Sequence, residues 1–269
     1  MQIIRAIVAG QNDPVTLAQY RDRRCKSSQS EIAKSLTGHY KAEHLFALGQ
    51  ALASYDFINT QIRACDGEIE AKYQAFKPQI DLETDPLPET KHKPRRQASH
   101  PDFDLRTYLY QISGVDLTLI DGVDALTAQT IIAEIGLDMN AWPTVKHFAS
   151  WLGLAPHNAI TGGKIIRSRT KSTTHRANTA LRLAAQSAGR SDSALGGFYR
   201  RLRAKLGAPK AITATAHKIA RIIYHLLKYR EQYVDPGRNY YEQQYQDRLL
   251  KTLHRKADKL GMKLVPQSA

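Results

Sequence analysis

Negative charge is scarce where most of the positive charge of this 269-residue chain lies. From Met139 to Arg230 the only acidic residue is Asp192, and Ile160–Gln186 contains none. An ordinary protein surface mixes both signs of charge, because like charges repel one another in the compact state. A long segment of one sign therefore indicates a polyanionic partner, of which nucleic-acid phosphate is the commonest. The net charge of +14 favours the same partner, and a merely soluble basic protein is the alternative.

Cysteines, long apolar runs and clustered carboxylates are scarce as well. Cys25 and Cys65 are far apart and lack the spacing of metal ligands, so we expect ordinary thiols and a cytoplasmic protein. No apolar run approaches the ~20 residues that cross a bilayer, and the first residues do not form a signal peptide, so we expect no membrane partner. Two-metal nucleases need converging carboxylates, and no such pattern occurs in an apolar strand context. The sequence therefore predicts no metal site.

Helical periodicity dominates the chain and predicts a mainly α fold. Apolar residues step by threes and fours through residues 45–69, which predicts a long helix from about Thr37 to about Phe76. We interpret it as a coiled-coil arm that joins copies of the chain, with packing inside its own domain as the alternative. The proline-rich stretch that follows predicts an exposed linker. The predicted organisation is an arm over 1–77, a flexible linker over 78–103, a compact helical domain over 104–235 and a C-terminal helix over 236–269.

A glycine turn precedes the first predicted helix of the compact domain. The segment LTLIDGVDALTAQTIIAEIG has the pattern of a helix-hairpin-helix element. Gly122 would then leave backbone N–H groups at a helix N-terminus free to bind a phosphate. The place of the usual second glycine holds Asp124, which repels phosphate. A simple pair of helices in the core is the alternative interpretation.

A second motif joins a hydroxyl, two glycines and a lysine, from Thr161 to Lys164, inside the segment without acids. Glycines let a backbone approach a phosphate closely, and a hydroxyl can attack phosphorus if its proton is removed and the charge is neutralised. The pattern is not a Walker loop, and a basic surface loop is the alternative. Only GGKIIRS in this region has the character of a strand. The predicted nucleic-acid-binding residues are Gly122, Gly162, Gly163, Lys164, Arg167, Arg169, Lys171, Arg176, Arg182, Arg200, Arg201 and Arg203.

Several blocks of the chain resemble transposases of the insertion-sequence one-ten family, which are related to the pilin-gene invertases. The blocks SWLGLAPHNAITGGKIIRSRTKSTTHRANTALRLAAQS and SALGGFYRRLRAKLGAPKAITATAHKIARIIYHLLKY are similar to the C-terminal domain of that family. ISGVDLTLIDGVDALTAQTIIAEIG resembles the hairpin that opens the domain, and KAEHLFALGQALASYDFINTQIRACDGEIE resembles the coiled-coil linker of the family. Because the blocks occur in the family's order over nearly the whole chain, we identify the chain as a member.

The resemblance implies transposition by a composite active site that acts on transposon ends and target DNA, guided by a structured bridge RNA. An N-terminal RuvC-like domain binds magnesium through four carboxylates, and the C-terminal domain supplies a serine that links covalently to DNA. In this chain Thr161 stands at the position of that serine. Its methyl group crowds the in-line approach to phosphorus. Ser168 is the second candidate nucleophile, downstream of that position.

The start of this chain aligns after the metal-binding domain of the family. The resemblance therefore implies no cofactor in this chain, with magnesium in the missing N-terminal domain. We expect a C-terminal half that carries the hydroxyl loop and is inactive alone, either a fragment or a decayed copy. The alternative is a non-catalytic nucleic-acid-binding module, or a regulator that competes with the full-length transposase.

Overall fold

The computed structural model describes residues 1–90, 100–263 and 265. It confirms a mainly α fold, with a single two-stranded antiparallel sheet among these residues. The predicted linker and C-terminal helix include residues 91–99, 264 and 266–269, which lie outside the described part. The elements are α1 (Gln2–Val8), α2 (Pro14–Ala18), α3 (Gln29–Ser35), α4 (Ala42–Ala75), α5 (Leu105–Ser113), α6 (Ala125–Ile135), α7 (Val145–Trp151), β1 (Pro156–Thr161), β2 (Lys164–Thr170), α8 (Arg176–Ala188), α9 (Ala194–Leu206), α10 (Ala208–Tyr229) and α11 (Tyr240–Lys259).

The chain divides into two compact units, Met1–Ile69 and Glu70–Ala269. In the first unit Ser28 and Glu31 form a capping box that begins α3. The long helix that the periodicity predicts is present as α4, and no residue of it is buried. Apolar residues of the predicted seam, such as Ile58 and Ile62, are 55% and 52% exposed. The coiled coil and the contact between copies stay predictions.

The alanine-rich helix α8 lies at the centre of the second unit and contacts α6, α9 and α10. Its inward face consists of small side chains and Leu181, and the facing positions of α10 are fully buried at Ile219 and Ile223. The helical spacing of the apolar residues in α10 predicts that both isoleucines point inward, and their burial confirms this. Small residues on α8 let the neighbouring elements approach its backbone closely.

The closest such approach is made by Gly122, in the turn before α6. A Cβ atom at Gly122 would lie 2.2 Å from the carbonyl oxygen of Ala184 and 2.7 Å from the backbone nitrogen of Ala188. The φ angle of Gly122 is +88°, which disfavours any residue with a side chain. This turn therefore requires glycine for packing as well as for conformation.

A chain of hydrogen bonds ties the end of α7 to α8 and α10. The buried side chain of Asn178 donates from Nδ2 to the carbonyl oxygen of Leu152 at 2.6 Å. Its Oδ1 accepts from Nε of Arg182 at 2.8 Å. Nη1 of Arg182 in turn donates to Oγ1 of Thr213 at 2.9 Å. The segment that leads into β1 is thereby fixed to the helical core.

Replacing Gly122 with alanine tests the close approach to α8. Gly114 is a matched control because it is also left-handed, with φ +75°, and a Cβ there meets only ordinary contacts at 3.7 Å or more. We expect Gly114→Ala to lower the free energy of unfolding by about 1–2 kcal/mol through backbone strain. Gly122→Ala should cost a further ~1–3 kcal/mol through overlap with α8. Urea denaturation followed by circular dichroism measures both, and equal losses would contradict the packing role of Gly122.

Candidate nucleic-acid interface

The predicted loop with Thr161 and Lys164 is the end of a β-hairpin. The register pairs Thr161 with Lys164, so Gly162 and Gly163 alone form the turn. Their φ angles are +56° and +75°, as a two-residue turn of type I′ requires. A Cβ at either glycine would meet nothing within 4 Å. The glycines are therefore needed for backbone conformation, and the tip of the hairpin carries no side chains.

The hairpin stands out from the domain. Every residue of β1 is exposed, and Ile160, Ile165 and Ile166 are 61%, 58% and 70% exposed. The sequence predicts strand character only around GGKIIRS, so the strand β1 was not predicted. The sequence signal for a strand is weak here, because a strand that is exposed on both faces need not alternate apolar and polar residues.

The strand register sorts the hairpin residues onto two faces, because cross-strand partners share a face and successive residues alternate. A shift between Ala159 and Ile160 accommodates Ile166 as an extra residue of β2. Arg167 pairs with Ala159 in this register, and its side chain lies outside the described part. The cationic face contains His157, Ala159, Thr161, Lys164 and Arg169. The isoleucine face contains Pro156, Asn158, Ile160, Ile165, Ser168 and Thr170, and none of these is charged.

The two candidate nucleophiles lie on opposite faces of the hairpin. Thr161 is on the cationic face, directly opposite Lys164 and next to the turn. Ser168 is on the isoleucine face, opposite Asn158 and farther from the tip. Only Thr161 therefore has a cation as its cross-strand neighbour, which is the arrangement that neutralises charge at an attacked phosphate.

The base of the hairpin is held by contacts that the sequence did not indicate. Gly153, with φ +67°, approaches Thr173 so closely that a Cβ would lie 2.7 Å from its methyl carbon and 3.1 Å from the carbonyl oxygen of Lys171. The ring of Trp151 packs against that of His175, with centroids 4.3 Å apart. These contacts join the chain before β1 to the chain after β2. Lys171, a predicted phosphate ligand, is exposed beside this base.

The predicted arginines of α8 differ in their surroundings. Arg176 is 75% exposed and forms an ion pair with Glu134, with its Nε 2.6 Å from Oε1. Arg182 is partly buried and bonds to Asn178 and Thr213. Arg176 is thus available at the surface, whereas Arg182 has a structural role that the charge pattern did not reveal.

The arginines of α9 are similarly divided. Nη1 of Arg200 donates to the carbonyl oxygens of Gly189 and Ser191, at 3.1 and 2.7 Å. The guanidinium of Arg201 lies over the ring of Tyr245, 4.7 Å from its centroid. Arg203 is exposed in the last turn of the helix. The roles of these arginines in binding stay predictions, but Arg200 also holds the loop between α8 and α9.

The predicted helix-hairpin-helix element has two features that limit access to a phosphate. Gly122 packs on α8, and the N-terminus of α6 is capped by its own side chain, since Oδ1 of Asp124 accepts from the backbone nitrogen of Thr127 at 2.8 Å. The first helix is only a turn, Leu117–Leu119. Phosphate binding at Gly122 stays a prediction.

Further positive charge gathers on α10. Burial lowers the pKa of His217, and the neighbouring Arg221 and Lys218 lower it further. Burial also lowers the pKa of Lys218, followed by the charges of Arg221 and Arg248. Nζ of Lys218 lies 4.4 Å from the ring centroid of Tyr241. An aromatic ring thus offsets part of the cost of partly burying this cation.

Neither a metal centre nor a membrane span occurs in residues 1–90, 100–263 and 265. There, no three or more histidine, cysteine, aspartate or glutamate side chains are grouped so that they could hold a metal ion. None of the described helices is both long and apolar enough to span a bilayer.

The second unit is a mainly helical domain that presents an acid-poor β-hairpin. Residues 116–200, which include the hairpin and α8, match the model of the Transposase IS116/IS110/IS902 family. The chain therefore carries a transposase domain of this family, and the resemblance to the insertion-sequence one-ten family is confirmed. The family indicates a function in DNA transposition and DNA as the partner. No curated protein matches the chain significantly.

Alanine substitutions in α8 should separate its two arginines. Arg182→Ala removes the donors to Oδ1 of Asn178 and Oγ1 of Thr213, so we expect a loss of about 1–3 kcal/mol in the free energy of unfolding. Arg176→Ala removes the same charge but breaks an ion pair whose arginine is 75% exposed, so we expect a change below about 1 kcal/mol. Urea denaturation of both variants measures the difference. A smaller loss for Arg182→Ala than for Arg176→Ala would refute the structural role.

Proposed function

We propose that this chain is a DNA-binding transposase subunit whose hairpin presents Thr161 to a phosphate of the DNA. One observation carries the proposal. Thr161 and Lys164 face each other beside the turn of an exposed hairpin that contains no acidic residue on either strand. A hydroxyl and a cation at an uncovered tip can approach a DNA backbone without moving any other part of the domain.

The cationic face supplies the phosphate contacts. Lys164 and Arg169 are both exposed, and each Lys or Arg that meets a phosphate releases condensed counterions. Lys171, Arg176 and Arg203 extend the positive surface as exposed side chains. Arg182 and Arg200 act instead by holding the helices in place.

The proposed reaction is an attack of the Thr161 hydroxyl on phosphorus. A bond forms between Oγ1 and phosphorus, and the bond from phosphorus to the leaving deoxyribose oxygen breaks. The proton of the hydroxyl passes to solvent, and the leaving oxygen takes up a proton in exchange. Lys164 stabilises the negative charge that develops on the phosphoryl oxygens. The product is a threonine phosphodiester that joins the protein to DNA.

The remaining parts of the proposal come from the family resemblance. By this resemblance we assign magnesium chemistry to a RuvC-like domain of the family. A structured guide RNA would meet the same acid-poor surface, since RNA is also a polyanion. Copies of the chain would join through residues 45–69, where the apolar seam of α4 is half exposed.

A non-catalytic nucleic-acid-binding module is the second candidate function. It is favoured by threonine at the position of the family's serine, because the methyl group of Thr161 crowds an in-line attack. Such a module would bind DNA through the same cationic face without forming a covalent link.

The salt dependence of DNA binding tests the cationic face. We expect the affinity for duplex DNA to fall steeply with salt concentration, since phosphate contacts carry the binding. Replacing Lys164 and Arg169 with alanine should weaken binding and reduce the slope of log affinity against log salt by about 2, one for each lost contact. Fluorescence anisotropy at several salt concentrations measures the slope.

The control for this experiment is the double variant Lys41→Ala, Arg63→Ala. Both side chains are exposed in the first unit, so the control removes the same net charge from a different surface. We expect it to keep the wild-type slope. An equal loss in both double variants would show that net charge, and not the hairpin, carries the binding.

The nucleophile is tested by the covalent adduct. We expect the chain with DNA ends, guide RNA and Mg²⁺ to leave the DNA intact, and to form an adduct when a metal-binding domain of the family is added. Thr161→Ser should retain the adduct, whereas Thr161→Val should abolish it because valine keeps the shape but lacks the hydroxyl. Denaturing gels with mass spectrometry of the linked peptide measure the product.

Ser168→Ala is the matched control, since it removes the second candidate hydroxyl from the opposite face. It should leave the adduct unchanged. An adduct on Ser168, or one formed by Thr161→Val, would eliminate Thr161 as the nucleophile, and the absence of any adduct would favour the non-catalytic module.

A further inference from the structure

The isoleucine face is the exposed apolar surface of the hairpin, whose opposite face is cationic. Ile160 and Ile165 are cross-strand partners one position behind the turn, and Ile166 is the extra residue beside them. Their side chains are between 58% and 70% exposed. An isolated two-stranded hairpin is only marginally stable in water. Burial of the isoleucine face against another molecule would therefore stabilise the hairpin.

The charge of the hairpin determines which molecule that is. The opposite face carries Lys164 and Arg169, and neither strand has an acidic residue. A polyanion is thus the complementary partner for the hairpin as a whole. In duplex DNA the flat surfaces of the stacked bases are the apolar surface, and apolar side chains of DNA-bending proteins insert there.

We propose that the hairpin enters a groove of duplex DNA and that Ile160 and Ile165 insert between neighbouring base pairs and unstack them. This inference rests on the proposed DNA binding by the cationic face. It adds a mode of recognition in which the two faces contact different parts of the DNA. The cationic face contacts phosphates while the isoleucine face opens a base step.

The length of the hairpin allows this insertion. β1 has six residues, which at ~3.3 Å per residue corresponds to roughly 20 Å. The grooves of B-DNA are about 8 Å deep, so the tip can reach the bases while the base of the hairpin stays outside. The Gly162-Gly163 turn carries no side chains and is therefore the narrowest part of the hairpin.

Unstacking would also affect the proposed reaction. Apolar wedges kink a duplex and change the path of its backbone at the kink. Thr161 is adjacent to Ile160 in sequence but on the opposite face. A wedge at Ile160 would therefore hold a phosphate of the distorted backbone near the Thr161 hydroxyl.

The test uses the full chain and short DNA duplexes that contain 2-aminopurine at a pyrimidine–purine step, where DNA kinks most easily. The fluorescence of 2-aminopurine rises when it is unstacked, and the anisotropy of a second, terminal dye reports binding in the same sample. We expect the wild-type chain to change the anisotropy and to raise the fluorescence several-fold. A matched RNA duplex should show no such rise.

The decisive variant is Ile160→Thr, Ile165→Thr, because threonine keeps the β-branched shape that favours a strand and loses the apolar contact. We expect binding within about twofold of wild type, with the fluorescence rise lost. Leu183→Gln is the control, since Leu183 is 59% exposed on α8 and its replacement should leave both signals unchanged.

The outcomes separate this inference from the proposed function. A chain that does not bind DNA at all refutes the proposed function and the wedge together. Binding by the wild type without a fluorescence rise overturns the wedge alone, even if the threonine variant fails to fold. A rise retained by the variant, a rise only on RNA, or a concentration-dependent dimer that the variant abolishes would each overturn it as well.

Discussion

A buried hydrogen bond connects the hairpin to the rest of the domain. Asn178 donates to the carbonyl oxygen of Leu152 at 2.6 Å, just where the chain leaves α7 for β1. Without this donor a buried carbonyl would lose its partner, which costs on the order of 1–3 kcal/mol. Arg182 extends the contact to Thr213 on α10. Because neither face of the hairpin is packed, its orientation depends on this fixed base.

The scarcity of acids also determines what the cations do. With one carboxylate between Met139 and Arg230, few arginines there can be neutralised by an ion pair within the segment. The structure satisfies some of them with neutral oxygens, as Arg200 does with two carbonyls. The cations of the hairpin have no acid on either strand. A hairpin without acidic side chains on either strand leaves its positive charges available to a polyanion.

The helices could be predicted from the sequence because their apolar residues recur at helical spacing. The period of Ile219 and Ile223 predicts the inward face of α10 directly, and the seam of α4 predicts a helix of nearly the observed length. The hairpin could not be predicted in the same way, since both of its faces are exposed. Charge alone could not distinguish Arg182 from Arg176 either, because burial and partners depend on the neighbouring helix. Gly122 was singled out for phosphate, and its contact with α8 is a tertiary feature that no local pattern reveals.

The conformation of the hairpin gives a physical reason for threonine at its tip. An exposed strand obtains little stability from packing, so the intrinsic preference of each residue for extended structure carries more weight. Threonine is β-branched and favours strands, and it keeps the hydroxyl that serine would supply. The glycines that follow it are conformationally free and add no stability to the strand. At position 161 the requirements of the strand and of the proposed nucleophile therefore meet in one residue, and the methyl group that favours the extended backbone is the same group that would crowd the proposed attack on phosphorus.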